Sequence, residues 1–278
     1  MTNKMLAFFS KRPVGITKVL GNGILLFIAT LSLIGCSTQL QSYSERGDIQ
    51  SVLKLLEQGE SIYETDPIGS TALHYAARSG QVLIAKILLS KGAQIDAKND
   101  YEETPLNQAV YFCHEKVVAF LIDKGANVHN RFKTNNGLWL APIFNASGNN
   151  CDPVILKGLL NAGANPNETE PGYGYSPLMF SAGTKNLTVS EMLLAAGADV
   201  NQQAKDGTTA LIVAAKTGNK EATRLFLEAG ANPTIKAIGE NEILHKDLQP
   251  LDTALLVAKR YGHNDIVSLL EDAEKNWR

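Results

Sequence analysis

Apolar residues recur along this chain in a fixed order rather than in long runs. Thr71-Ala72-Leu73-His74-Tyr75-Ala76-Ala77 is followed by Gly80, by the pair Leu88-Leu89 and by Gly92-Ala93. The same beats return 33 residues later as Thr104-Pro105-Leu106, Ala109, Leu121-Ile122 and Gly125-Ala126. A Thr hydroxyl can accept from the free backbone N–H groups that open a helix, and Pro or Ala suits the first helical turn. Gly80 and Gly92 fall where a left-handed residue ends a helix. Each period therefore predicts two helices. The first carries Leu and small Ala residues that let neighbours approach closely, and the second carries the Leu pair that supplies core volume.

The remaining chain aligns on these beats. Pro142-Ile143-Phe144 with Leu159-Leu160 makes one copy, its turn longer by four residues, and Ser176-Pro177-Leu178 with Leu193-Leu194 makes the next. Thr209-Ala210-Leu211 with Gly230-Ala231 restores the 33-residue step, and Thr253-Ala254-Leu255 with Leu269-Leu270 follows after 11 extra residues. Gly47, Leu55-Leu56 and Gly59 mark a degenerate first copy. The boundaries are roughly 38–66, 67–99, 100–132, 133–170, 171–204, 205–237 and 238–278, seven in all. This spacing and wording resemble the ankyrin repeat, whose unit is a β-turn plus two antiparallel helices. The resemblance implies an all-α solenoid of about seven helix-turn-helix repeats with β-turn fingers, occupying residues 36–278 as one elongated domain. One repeat alone cannot cover its apolar face, whereas a stack makes a continuous core. Gln39 to Arg46 is expected to be helical.

The N-terminus differs in composition. Lys4, Lys11, Arg12 and Lys18 precede the apolar run from Ile24 to Ile34 without any acidic residue, a run short enough to read as a secretion signal. It ends in Leu33-Ile34-Gly35-Cys36, which resembles the bacterial lipobox. That resemblance implies a signal peptide over residues 1–35, lipidation of Cys36 and membrane attachment through that lipid, the alternative being an uncleaved anchor. With Ser37 rather than Asp after the Cys, Gram-negative sorting rules imply the periplasmic face of the outer membrane. The full chain has 26 basic and 28 acidic residues, and loss of the four N-terminal bases leaves a formal charge of −6. A mildly acidic domain without a basic face argues against nucleic acid as a partner.

Cys113 and Cys151 both occupy the inter-helix position filled elsewhere by Gly80, Gly218 and Gly262. In an oxidising compartment a disulfide would join two adjacent repeats. Stacked helices lie about 8–10 Å apart, whereas a disulfide needs Cα atoms within about 7 Å. One additional residue before Cys151 would help the turns to lean together, so a disulfide and two free thiols both stand as readings. Cys113-His114 beside Cys151-Asp152 offers a metal reading as well, against which Asp152-Pro153 fits a helix cap and first-turn Pro more simply.

Nothing in the chain suggests catalysis. There is no Gly-rich phosphate loop, no Gly-x-Ser-x-Gly elbow and no His-Glu-x-x-His pair. His74 belongs to the repeat wording, His263 follows an inter-helix Gly, His114 reads as a cap, and His129 and His245 fall in fingers. No cofactor is expected.

Binding has more support. In ankyrin proteins partners usually dock on the fingers and first helices, and this mapping picks out Asp100, Tyr101, Glu103, Tyr111 and Phe112 in the third repeat. Trp139 follows in the long finger, then Tyr173, Tyr175 and Thr184, then Lys205, Asp206, Lys216, Arg260 and Tyr261. Aromatic residues bury much area at small entropic cost. Phe112 and Trp139 could instead fold over neighbouring repeats, while Tyr101, Tyr173 and Tyr175 are expected to be exposed near finger tips. A second candidate is the expansion from Ile235 to Asp252, with Glu240, Glu242, His245, Lys246 and Asp247. The expected protein is a monomeric, non-enzymatic binder of another protein, acting as a scaffold or protective partner in the bacterial envelope. The alternatives are an immunity-type inhibitor of a periplasmic toxin or hydrolase, and a redox or metal-handling protein working through Cys113 and Cys151.

Overall fold

A computed structural model describes residues 38–134, 137–149, 151–184, 186–238 and 250–277. Along them run seven helix pairs: α1 (Gln39–Arg46) with α2 (Ile49–Glu57), α3 (Ala72–Arg78) with α4 (Val82–Ser90), α5 (Pro105–Tyr111) with α6 (Glu115–Asp123), α7 (Pro142–Gly148) with α8 (Pro153–Asn161), α9 (Pro177–Ala182) with α10 (Leu187–Ala195), α11 (Ala210–Thr217) with α12 (Lys220–Glu228), and α13 (Ala254–Tyr261) with α14 (Asn264–Asn276). Before α7, strands β1 (Phe132–Lys133) and β2 (Trp139–Leu140) pair antiparallel, Phe132 opposite Leu140 and Lys133 opposite Trp139. The four-residue lengthening of that turn is accommodated by this hairpin. The signal segment, Cys36 and the expansion residues 239–249 lie outside the described residues.

The helices begin where the repeated polar residues stand. Thr104, Ser176, Thr209 and Thr253 each accept the backbone N–H three residues on, as N-caps do. First helices pack on first helices and second on second along the whole series. Leu73, Leu106, Ile143, Leu178 and Leu211 are buried in one row, and Leu88, Leu121, Leu159, Leu193, Phe226 and Leu270 in the other. Each such side chain stabilises the fold by about 1.5–3 kcal/mol relative to exposure.

Polar side chains join one repeat to the next in two recurring ways. The first is a pin from the third residue of a first helix to the following finger. Gln41 accepts from Thr38 N–H and donates to Ser70 O (2.9 Å), and Asn107 accepts from Thr104 N–H and donates to Asn130 O (3.1 Å). His74, midway between them, meets Thr71 N–H through Nδ1 (3.1 Å) and Glu103 O through Nε2 (2.9 Å).

The second is a clip from the N-cap residue of a second helix back to the preceding repeat. Gln81 reaches Glu45 O (3.5 Å), His114 reaches Arg78 O (2.8 Å), Asn219 reaches Thr184 O (2.6 Å) and His263 reaches Lys216 O (3.2 Å). His114 therefore sits at a cap position, but its ring makes no cap bond and faces the neighbouring repeat instead, which corrects its reading as a simple cap. Asp152 does cap its own helix, accepting Val154 N–H at 3.0 Å with Pro153 in the first turn. Cys113 and Cys151 are joined by a disulfide with Cα atoms 5.2 Å apart.

Candidate protein-binding face

The fingers form a connected edge. Each closes on itself through a backbone pair: Asp66 N–H to Ser70 O (3.0 Å), Asn99 N–H to Glu103 O (3.1 Å), Glu170 N–H to Tyr175 O (2.9 Å) and Ala204 N–H to Thr208 O (2.8 Å). Neighbouring fingers are then tied together. Asp100 N–H donates to Ile68 O (2.9 Å), Lys133 N–H to Tyr101 O (2.8 Å), Lys205 N–H to Tyr173 O (2.8 Å) and Ile238 N–H to Asp206 O (2.7 Å). The Arg131–Glu168 ion pair spans the third and fourth fingers.

Buried polar residues hold the turns in shape. The Asn99 amide oxygen accepts from Tyr101 and Glu103 N–H, both at 3.0 Å, and the Glu170 carboxylate, itself buried, accepts from Gly172 and Tyr173 N–H, both at 2.6 Å. Asp66 accepts from Ile68 N–H (2.9 Å), Ser70 N–H (2.8 Å) and the Tyr75 hydroxyl (2.8 Å). Burial and that carboxylate push the Tyr75 phenol above its ordinary range.

On this rigid edge three large apolar side chains face solvent in consecutive fingers: Ile68 (40% exposed), Tyr101 (41%) and Trp139 (37%). The backbone bonds just described join their carriers, Ile68 to the turn of Tyr101 and Tyr101 to Lys133, the strand partner of Trp139. Exposed aromatic anchors on a frame that loses little entropy on binding are the feature of a protein-recognition surface. Ile68 was not legible as part of it, because a single Ile in a turn carries no sequence signal.

The other candidate residues divide. Glu103 braces its finger, its carboxylate accepting from Asn99 (2.9 Å) and Gln108 (2.5 Å). Tyr173 is half-buried against the core. Tyr175 requires a correction, since it is 2% exposed and its hydroxyl donates to Asp206 (3.3 Å). Burial, reinforced by the Asp206 charge, pushes its phenol far above the ordinary range. Tyr175 therefore belongs to the interior, and so does Asp206, which is also buried.

Phe112, Tyr111, Lys216 and Tyr261 fall into two copies of one arrangement at the inter-helix turns. Arg78 lies over the Phe112 ring at 5.5 Å, and Phe112 stacks on His114 at 6.4 Å, with Tyr111 edge-on at 5.0 Å. Lys216 lies over Tyr261 at 5.7 Å, and Tyr261 stacks on His263 at 6.3 Å. In both, a cation of one repeat covers an aromatic of the next, whose His clips the carbonyl of the cationic residue. These half-exposed groups already cement repeats together. The signal that could have revealed this is the aromatic-x-His wording shared by Phe112-Cys113-His114 and Tyr261-Gly262-His263. Arg260 forms an ion pair with buried Asp252. Among the described residues no cluster of three metal-ligating side chains occurs, and no helix is long and apolar enough to cross a membrane.

The family profile described as ankyrin repeats (3 copies) matches residues 40–131 and 143–237, and the chain belongs to the ankyrin repeat family. A transient receptor potential cation channel subfamily A member 1 homolog of Caenorhabditis elegans is 27% identical over 244 residues, covering 84% of this chain and 16% of the relative. A probable E3 ubiquitin-protein ligase, XBOS32, of Oryza sativa subsp. japonica is 31% identical over 220 residues, covering 73% of this chain and 41% of the relative. The chain thus spans less than half of these relatives' lengths. The crystal structure of the human ASB11 ankyrin repeat domain superposes with a TM-score of 0.70 at 22% identity, covering 84% of this chain and 98% of that domain. Fold and family together define a protein–protein interaction module.

Proposed function

We propose that this chain is a non-enzymatic envelope lipoprotein that binds one protein partner along its finger edge, as a scaffold or protective partner. The observation that carries the binding reading is the exposed row of Ile68, Tyr101 and Trp139 on three bonded fingers. The basic N-terminus, the apolar run and Leu33-Ile34-Gly35-Cys36 support attachment through a lipid on Cys36. A myristoyl-length chain alone gives marginal, reversible membrane binding, so firm attachment requires a second lipid chain or another membrane-binding signal.

Crosslinking in intact cells, followed by capture from separated envelope fractions, tests both halves. The wild type is expected in the membrane fraction with one enriched partner. The captured wild type should begin at Cys36 and carry the mass of its lipid, and a Tyr101→Ala, Trp139→Ala variant should stay in the membrane fraction but lose the partner. A wild-type mass without lipid on Cys36 contradicts the anchor, and equal capture by the finger variant contradicts the site.

A further inference from the structure

The junction between the third and fourth repeats is built unlike the others that carry a clip. Where Gln81, His114, Asn219 and His263 donate to a carbonyl of the preceding repeat, the fourth repeat has Asp152. A carboxylate offers only acceptors, and this one turns to its own helix. The Cys113–Cys151 bond stands in place of the missing clip, aided by a long contact from the Asn149 amide to Tyr111 O (3.5 Å).

The two sulfur-bearing residues are not equivalent. Cys113 is exposed, whereas Cys151 is 4% exposed, with its sulfur 3.7 Å from Val110 O. Cys113 also has φ +60°, the left-handed region occupied by Gly80 at the equivalent turn with φ +73°. A side chain is disfavoured there, so the fold tolerates an unfavoured residue to present this sulfur at the surface.

From these observations we propose that Cys113 is a thiol-exchange site through which a dithiol reductant opens the third junction. One thiolate of the dithiol attacks Cys113 Sγ, the Cys113–Cys151 bond breaks, and Cys151 leaves as a thiolate. That thiolate takes a proton from solvent and its S–H finds Val110 O as acceptor. The second thiolate of the dithiol then attacks its own mixed disulfide, releasing Cys113 as a thiolate that is protonated in turn. The dithiol ends as a disulfide and the protein as two thiols, so atoms and electrons balance. The same junction carries the finger bond from Lys133 N–H to Tyr101 O, so its opening loosens the edge on which Tyr101 and Trp139 sit. That consequence for binding rests on the proposed function; the exchange chemistry does not.

The test uses the oxidised full-length chain with glutathione as a monothiol probe, acid quenching and peptide mass mapping, followed by dithiothreitol with amide hydrogen exchange. The adduct is expected on Cys113 about tenfold over Cys151, because attack follows access. After reduction the His114 and Asn149 amides, on either side of the bond, should exchange faster while Thr71 and Asp100 do not change. Single variants give a second reading by peptide mapping of the alkylated residue: Cys113 in Cys151→Ser should react with iodoacetamide about tenfold faster than Cys151 in Cys113→Ser. Adducts shared equally or favouring Cys151, equal alkylation rates, or exchange at His114 and Asn149 unchanged by reduction would each overturn the proposal.

Discussion

Replacing His74 with Ala is expected to destabilise the stack by about 2–4 kcal/mol, because it strands Thr71 N–H and Glu103 O at a buried junction. The ring works in one protonation state. Nδ1 must be bare to accept from Thr71 N–H, which leaves the proton on Nε2 to donate to Glu103 O. Burial, the dominant influence, lowers its pKa below the ordinary 6.5, against smaller opposing effects of the Glu103 carbonyl and the Asp66 charge. Above 6.5 the ring is neutral in both folded and unfolded chains and the bonds contribute in full. As pH falls through 6.5 the unfolded chain gains a proton that the folded chain refuses, so stability declines until the folded pKa is reached. The slope attributable to this ring is at most about 1.4 kcal/mol per pH unit. Urea unfolding across the acid range checks this: His74→Asn, which imitates Asn107, should keep much of the stability at neutral pH and lose that part of the slope. An undiminished slope in His74→Asn would place the titration elsewhere.

The second large effect is expected at Gly207. Its φ is +79°, and a Cβ added there would lie 2.8 Å from Lys236 O, 2.9 Å from Ile238 N and 3.0 Å from Ala237 Cα. These are backbone atoms of the next finger, which cannot rotate away as a side chain can. Gly207→Ala should therefore cost about 3 kcal/mol or more, combining the left-handed penalty with loss of the Ile238 N–H to Asp206 O bond. Gly230 supplies the comparison, with φ +85° and nothing within 4 Å of an added Cβ. Gly230→Ala should cost only about 1–2 kcal/mol. Thermal unfolding of the two variants side by side decides it, and equal losses would mean that the finger contact is soft.

The repeat architecture was legible because its determinants are local. Thr104, Ser176, Thr209 and Thr253 cap the helices that follow them, and the helix pairs recur with the register of the Leu pairs. Orientation across repeats was not local and was harder to read. Tyr173 and Tyr175 share one short Gly-rich turn, yet Tyr175 goes inward because its hydroxyl finds Asp206, 31 residues on. His114 turns from its own helix because the bare Gly80 leaves room for its ring, an added Cβ there lying 2.8 Å from Nδ1. Trp139 reaches solvent because the lengthened finger folds as a hairpin that places it opposite Lys133. The pairing of Cys113 with Cys151 lay between these cases: the shared position was visible, while the approach of the turns to 5.2 Å depends on the packed stack.

Partner binding is proposed to run through the apolar finger row. Its most direct measurement is a calorimetric titration of the captured partner against the wild type, an Ile68→Ala, Tyr101→Ala, Trp139→Ala variant, and Tyr175→Phe. The triple variant should unfold at nearly the wild-type temperature and bind about 100-fold more weakly or worse, as loss of exposed anchors predicts. Tyr175→Phe should bind as the wild type does, losing only about 1 kcal/mol of stability with its Asp206 bond. Wild-type affinity in the triple variant, or an equal loss in Tyr175→Phe, would contradict the account and move recognition away from the finger edge.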